Sequence, residues 1–260
     1  QLCIFTGPVY FIYKIVSAIK LSKQLSHSYP DNNFIPVFWM ASEDHDFKEI
    51  NHINLFGNKY QWMTKQTGIV GDFDTSGIAA VIREIEGDII ETKNLKKILQ
   101  IFKECYSEKK LSESTRLLVN KLFGEYGIVI LDANDKNLKK KLVPIIKEDV
   151  INQSLHLFIS ERTKEISKEF YPQAFVRDIN FFDISNGKRE RITKRVSAND
   201  IENKPEKFSP NVLIRPLYQE LILPNIAYVG GGAEIAYWMQ LKTVFKYLEI
   251  PFPVLVLRNS

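Results

Sequence analysis

Cysteine is nearly absent. Cys3 and Cys105 are the only two in 260 residues, and their separation fits neither a metal site nor a redox pair. A disulfide framework is therefore excluded, and a reducing cytoplasm is the expected compartment. Neither thiol has an acid–base partner nearby in sequence, and there is no Gly-x-Ser-x-Gly elbow, so covalent nucleophilic catalysis is not expected. No apolar stretch reaches the length of a membrane span, and none reads as a signal peptide. A strong charge of one sign is also missing. The 35 Lys and Arg against 31 Asp and Glu leave a net charge of +4, too slight for a nucleic-acid binder. The glycine spacings of dinucleotide-binding and P-loop motifs do not occur. There is no internal repeat and no low-complexity tract.

What is present is a chain that is 45% hydrophobic, enough for a sizeable core. Its most informative stretch is residues 34–52. Residues 34–41 form a continuous bulky apolar run, the pattern of a strand buried on both faces of a sheet. The run then turns polar at Ser42, Glu43, Asp44, His45 and Asp46. In open α/β sheets ligands bind outside the carboxyl ends of strands, so Asp44, His45 and Asp46 are acid–base candidates. The competing reading is a solvated turn in which Asp46 and Glu49 make a capping box. If residues 46–52 are helical, His45, Glu49 and His52 share a face. That grouping matches no standard metal signature, and no metal is expected.

Similar signals recur along the chain. Residues 2–5 read as the end of a strand. Thr6 or Gly7 suits a helix N-cap and Pro8 the first turn of a helix over 9–25, an arrangement that offers backbone N–H groups to an anion. Residues 78–106 read as helical with an interruption near Gly87, and 112–123 as another helix. Residues 127–131 read as a buried strand ending at Asp132, Asn134 and Asp135. Residues 138–170 read as helical with a break at Pro144. Residues 174–182 and 190–196 read as a hairpin turning at Ser185-Asn186-Gly187. Its basic run, Lys188, Arg189, Arg191, Lys194 and Arg195, reads as a guarded sheet edge or a phosphate-binding loop. Residues 226–229 and 252–257 read as strands flanking a helix over 233–248. In the first turn of that helix, Glu234 disfavours an anion at Gly230-Gly231-Gly232.

The expected fold class is α/β, a doubly wound, mostly parallel sheet in which runs 34–41, 127–131, 226–229 and 252–257 are neighbours. The expected divisions are a first part of the core at 1–148, including a helical insertion at about 78–125, an inserted helix and hairpin at 149–206, and a second part at 207–260. Both ends run directly into apolar segments, so a longer protein is expected.

FTGP followed by VYFIYKIVSAIKL, PVFWMASEDHDFKEINH, and SPNVLIRPLYQELILPNIAYVGGGAEIAYWMQLK together resemble the BshC family, the cysteine-adding enzymes of bacillithiol biosynthesis. The resemblance covers essentially the whole chain. It implies a Rossmann-like core related to nucleotidyltransferases and class I aminoacyl-tRNA synthetases, with connecting segments inserted. It also implies further sequence before residue 1 and, after residue 260, a C-terminal coiled coil associated with a homodimer. The implied reaction joins the carboxyl of cysteine to the amino group of glucosaminyl malate, with ATP or another nucleotide as activating cofactor. Thr6-Gly7-Pro8 lies where the synthetases carry their first signature, but without its two histidines. Residues 188–195 are a poor substitute for the second, Lys-rich signature. On this resemblance Thr6, Gly7 and Lys14 would take substrate or nucleotide, with Thr6 and Gly7 positioning an anion. Asp44, His45 and Asp46 would hold the ammonium group of cysteine or act as base. Asn211, Arg215 and Gln219 would bind substrate, and Gly230, Gly231, Glu234, Tyr237 and Trp238 would form the opposite wall. Two alternatives stay open. One is a metal-dependent phosphoesterase or nucleotidyltransferase using Asp44, His45 and Asp46. The other is a non-catalytic binding protein on a nucleotide fold.

Overall fold

The computed structural model describes residues 1–107 and 109–259. The chain divides into two compact units, Gln1–Ala133 together with Asn259, and Asn134–Arg258.

In the first unit the opening residues do not form a strand. Phe5, Thr6 and Gly7 have φ of 52°, 72° and 62°, and three successive left-handed residues cannot lie extended. They make a tight turn instead, held where the Phe5 N–H donates to the Tyr106 hydroxyl at 2.7 Å. The Phe5 ring also packs on Phe102 and Tyr106, with centroids 4.6 and 5.1 Å away. Helix α1 spans Tyr10–Ser28. It buries Ile15 and Ile19 against Val119, Phe123 and Ile128. Its N-cap is Val9, with no side-chain cap, rather than Thr6 or Gly7, because the left-handed turn directs the chain away before the helix begins.

Strand β1 (Val37–Met40) pairs in parallel with the later β4 (Val129–Asp132), placing Met40 opposite Asp132. After β1 come a single helical turn, α2 (Phe47–Ile50), and a hairpin of β2 (His52–Leu55) and β3 (Asn58–Gln61). The helical segment expected at 78–106 is two helices, α3 (Ile78–Asp88) and α4 (Lys93–Cys105). The Thr92 hydroxyl caps α4 by accepting from the Leu95 N–H at 3.1 Å. Helix α5 is Leu111–Phe123. Aromatic residues Trp62, Phe47 and Phe73 pack edge-on and tilted in the core beneath the hairpin.

The second unit opens with α6 (Lys136–Lys141), α7 (Val143–Val150) and α8 (Leu155–Ile166). The break falls at Pro144, which sits in the first turn of α7, where its missing N–H costs nothing. The expected hairpin forms but is short. Strand β5 (Phe181–Asp183) pairs antiparallel with β6 (Glu190–Arg191), and β7 (Phe208–Pro210) joins the other edge of β5. Helix α9 is Ala198–Asn203, and α10 is Arg215–Ile222. Strand β8 (Ala227–Gly230) pairs in parallel with β9 (Val254–Leu257). The helix expected between them is divided into α11 (Gly232–Met239) and α12 (Lys242–Tyr247). The buried Gln240 side chain at this break bonds Thr163 and Ala174.

Among the described residues the single sheet expected for the four apolar runs does not form. Hydrogen bonding divides them into two separate parallel pairs, β1–β4 and β8–β9. An apolar run identifies a strand that packs, but its neighbour is chosen by backbone bonding between residues distant in sequence. The strands are also less covered than a central parallel strand would be, since in β1 only Met40 is fully buried. Among the described residues no helix is long and apolar enough to cross a membrane.

Candidate functional site

In the first unit the chemistry gathers at the carboxyl end of β1. Parallel pairing puts Asp132, the last residue of β4, beside Met40, and the Ser42 hydroxyl donates to the Asp132 carboxylate. The polar turn is clamped from a second segment. The Gly71 N–H donates to the Ser42 carbonyl at 2.9 Å and the Val70 N–H to the Asp44 carbonyl at 2.7 Å. An added Cβ at Gly71 would lie 2.5 Å from the Ser42 carbonyl oxygen, so only glycine permits this approach.

Asp44, His45 and Asp46 stand on that clamped turn. His45 Nδ1 lies 3.6 Å from one Asp44 oxygen, and His45 Nε2 lies 3.9 Å from an Asp46 oxygen. The imidazole is thus bracketed by carboxylates, with its side chain 42% exposed. One ligand atom from each of the three residues lies within 4.8 Å of the others, a spacing that could hold an ammonium group or a divalent cation. The competing capping box is not formed. Asp46 is the N-cap of α2 but makes no side-chain cap bond. The His45, Glu49 and His52 grouping does not form either, because α2 ends at Ile50 and His52 begins β2. Glu49 accepts from the Gln1 side chain, and His52 Nδ1 faces the Asn51 side chain at 3.2 Å.

Thr6 is buried and Lys14 half-buried. The Gly7 N–H is already taken by the Ile4 carbonyl at 2.8 Å, so Gly7 does not offer it to an anion. Both thiols are buried, and burial pushes the Cys3 thiol up and the Cys105 thiol to about 11. Neither is a thiolate nucleophile.

In the second unit the binding candidates converge, with two exceptions. Arg215 opens α10 and donates to the Gln219 side-chain oxygen at 3.0 Å, to the Tyr237 hydroxyl at 3.1 Å and to the Tyr228 hydroxyl at 3.4 Å. The Tyr228 hydroxyl donates to Glu234 Oε1 at 2.8 Å, and Glu234 Oε2 accepts the Gly231 N–H at 2.8 Å. A continuous network therefore runs from Arg215 through Tyr228 and Glu234 to the glycine turn. Burial works against the Arg215 charge, but Tyr237, Tyr228 and Glu234 outweigh it and hold the guanidinium above its ordinary pKa. Beside it, burial pushes the Glu220 carboxyl up to about 7, although Asn225, Gln219 and Arg215 pull the other way. The immediate partners of Arg215 are neutral, so its positive charge can attract a carboxylate or phosphate.

The exceptions are Asn211 and Trp238. The Asn211 side-chain oxygen Oδ1 accepts the Leu213 and Ile214 N–H groups at 2.9 and 3.1 Å, and its side-chain NH2 donates to Asn180 Oδ1 at 2.9 Å. It shapes the turn before α10. Trp238 is fully buried, stacked on Tyr228 at 4.6 Å. It supports the network from behind and forms no wall.

Sequence reasoning missed Ser42, Gly71, Tyr228, Glu220 and Asn225. Tyr228 left a readable signal: residues two apart in a strand share a face, which places Tyr228 over Gly230. Gly71 left none, since its partner is 29 positions away in sequence.

A parallel strand pair with helices, ending in a polar turn that gathers acids and an imidazole, defines an α/β domain of the Rossmann-like class. The description "Bacillithiol biosynthesis BshC, N-terminal Rossmann-like domain" matches residues 1–259, and the chain belongs to the BshC family. A relative from Flavobacterium johnsoniae is 42% identical over 277 aligned positions, covering 100% of this chain and 52% of the relative. One from Flavobacterium psychrophilum is 43% identical with the same coverage. One from Staphylococcus epidermidis is 31% identical, covering 99% of this chain and 53% of the relative. All three carry the name "Putative cysteine ligase BshC". The chain thus spans about half the length of these curated relatives.

Proposed function

We propose that the protein containing this domain is a carbon–nitrogen ligase of bacillithiol biosynthesis. It would join the carboxyl of cysteine to the amino group of glucosaminyl malate. Condensing a carboxylate with an amine in water is uphill, so ATP or another nucleotide is proposed to activate the carboxylate. The observation that carries the site assignment is the bracketed imidazole on the clamped turn after β1. Asp44 and Asp46 can hold the ammonium of cysteine, and His45 can take the proton that the sugar amine releases on attack. Arg215, with Gln219 and Tyr237 fixing its orientation, suits a carboxylate of the malate portion. Thr6 and Lys14 belong to the proposal as nucleotide or substrate contacts, as do a homodimer and a cytoplasmic setting.

The test is product formation, followed by mass spectrometry, in the full-length protein with cysteine, glucosaminyl malate and each candidate nucleotide. Asp44→Asn and His45→Asn should each lower turnover about a hundredfold or more with the melting temperature unchanged. Wild-type rates in both variants would remove the cluster from the mechanism. The convergence of three metal-competent ligands favours one second reading, a metal-dependent phosphoesterase. Stoichiometric metal in the purified protein, together with hydrolysis of a phosphate ester that Asp44→Asn abolishes, would establish that reading instead.

A further inference from the structure

The second unit encloses a carboxylate that touches none of the candidate binding residues. Asp149, on α7, is fully buried, and so is its partner Asn180. Asp149 Oδ2 accepts the Asn180 backbone N–H at 2.6 Å, and Oδ1 accepts the Asn180 side-chain NH2 at 3.0 Å. Burial pushes the Asp149 carboxyl up to about 6, while the bonds from Asn180 and the nearby His156 pull it down. Above that pH the group is ionised, and an ionised carboxylate only accepts hydrogen bonds.

That one-sided chemistry sets the amides beyond it. The Asn180 NH2 is turned to Asp149 and to the Arg177 carbonyl at 2.7 Å, so Asn180 presents Oδ1 on the other side. There Oδ1 accepts the Asn211 side-chain NH2 at 2.9 Å. Asn211 is thereby turned so that its own Oδ1 accepts the Leu213 and Ile214 N–H groups, a cap on the turn that leads into α10. Turning Asn180 over would set its oxygen against the carboxylate and its NH2 against that of Asn211. Turning Asn211 over would set NH2 against two N–H donors. Each orientation therefore fixes the next. The backbone follows the same path. The Asn211 N–H donates to the Asn180 carbonyl at 2.8 Å, and the Arg215 N–H to the Asn211 carbonyl at 2.9 Å. Arg215 is the first residue of α10, and its guanidinium reaches Gln219, Tyr228 and Tyr237 from there.

We propose that Asp149 is a positioning residue, which orients Arg215 for a substrate carboxylate through Asn180 and Asn211. The role rests on the reading of Arg215 as the contact for the malate portion. A guanidinium makes paired bonds to a carboxylate only when its plane is correctly set. Loosening the start of α10 therefore weakens substrate binding.

The experiment is calorimetric titration of the full-length protein with glucosaminyl malate, which reads Kd and stoichiometry separately. A variant that merely folds less completely loses stoichiometry and keeps its Kd. Saturable binding is expected, and Arg215→Gln should weaken it about thirtyfold or more. Asp149→Asn, which puts a donor against the Asn180 amide, should weaken it about fivefold or more at unchanged stoichiometry. Asn211→Ser keeps a side-chain oxygen for the cap but removes the amide that bonds Asn180. It should weaken binding in the same way, and it decides the matter if Asp149→Asn does not fold. Val244→Ala, a core truncation in α12 outside these bonds, should lower the melting temperature and change Kd less than about twofold. Absence of binding to wild type, or a wild-type Kd in Arg215→Gln, would overturn the malate reading and the positioning role with it. Weakened binding in Arg215→Gln with a wild-type Kd in Asp149→Asn and Asn211→Ser would overturn the positioning role alone. So would an equal loss of affinity in Val244→Ala.

Discussion

Glu220 shows how much of the site chemistry depends on single residues. Its carboxyl accepts from the Gln219 and Asn225 amides at 2.9 and 2.8 Å, yet burial dominates and raises its pKa from 4.5 to about 7. The folded protein therefore holds this proton more tightly than the unfolded chain does. Its contribution to stability is complete below about pH 4.5 and is lost as pH rises through about 7. Asp149, raised by burial to about 6, acts in the same direction but is spent at a lower pH. Glu220→Gln keeps an acceptor for both amides and removes the titration. The variant should gain on the order of 2 kcal/mol at pH 8 relative to wild type and none at pH 4. Chemical denaturation across that range measures it, and a constant difference between the two proteins at all pH values would refute the assignment.

At the scale of elements, the turn after β1 depends on a neighbouring segment as much as on its own sequence. Gly71→Ala would press a methyl group onto the Ser42 carbonyl, 2.5 Å from the ideal Cβ, and should cost about 1–3 kcal/mol. It should also lower turnover, because it displaces the residues that present Asp44 and His45. Gly87 near the end of α3 has nothing within 4 Å of its ideal Cβ. Gly87→Ala should therefore be neutral or stabilise by up to about 1 kcal/mol. Denaturation midpoints of the pair separate a glycine required by close approach from one that is only tolerated. Local turn chemistry was readable in advance. Asn186-Gly187 does close a hairpin, with Gly187 at φ of 70°, and Pro144 does mark a helix start.

At the scale of the whole molecule, the parallel strands carry apolar side chains that solvent still reaches. Val129, Val254 and Leu257 are 47%, 63% and 64% exposed, although strands of parallel sheets are ordinarily covered on both faces. With the chain spanning about half of its relatives, residues 1–260 alone should melt at a lower temperature than the full-length protein. They should also form product more slowly than the full-length protein. Calorimetry and the mass-spectrometric assay, run side by side on both, check this. Equal melting temperatures and equal rates would show the domain to be self-sufficient.

The sequence by itself determined the α/β class, the helices α1 and α5 within a few residues, the family, and the polar turn at residues 42–46. These follow from patterns with short range: apolar runs, residues two or four apart, prolines and Asn-Gly turns. Tertiary structure decided which strands pair, β1 with β4 and β8 with β9 instead of all four together. It also decided that Phe5 and Thr6 turn left-handed, that Asn211 and Trp238 serve the scaffold, and that Tyr228 links Arg215 to Glu234. The strand pairings and the bond from Phe5 to Tyr106 join residues whose separation along the chain leaves no periodic trace. Their energies come from backbone ladders, burial and close approach, which exist only once the distant partner has arrived.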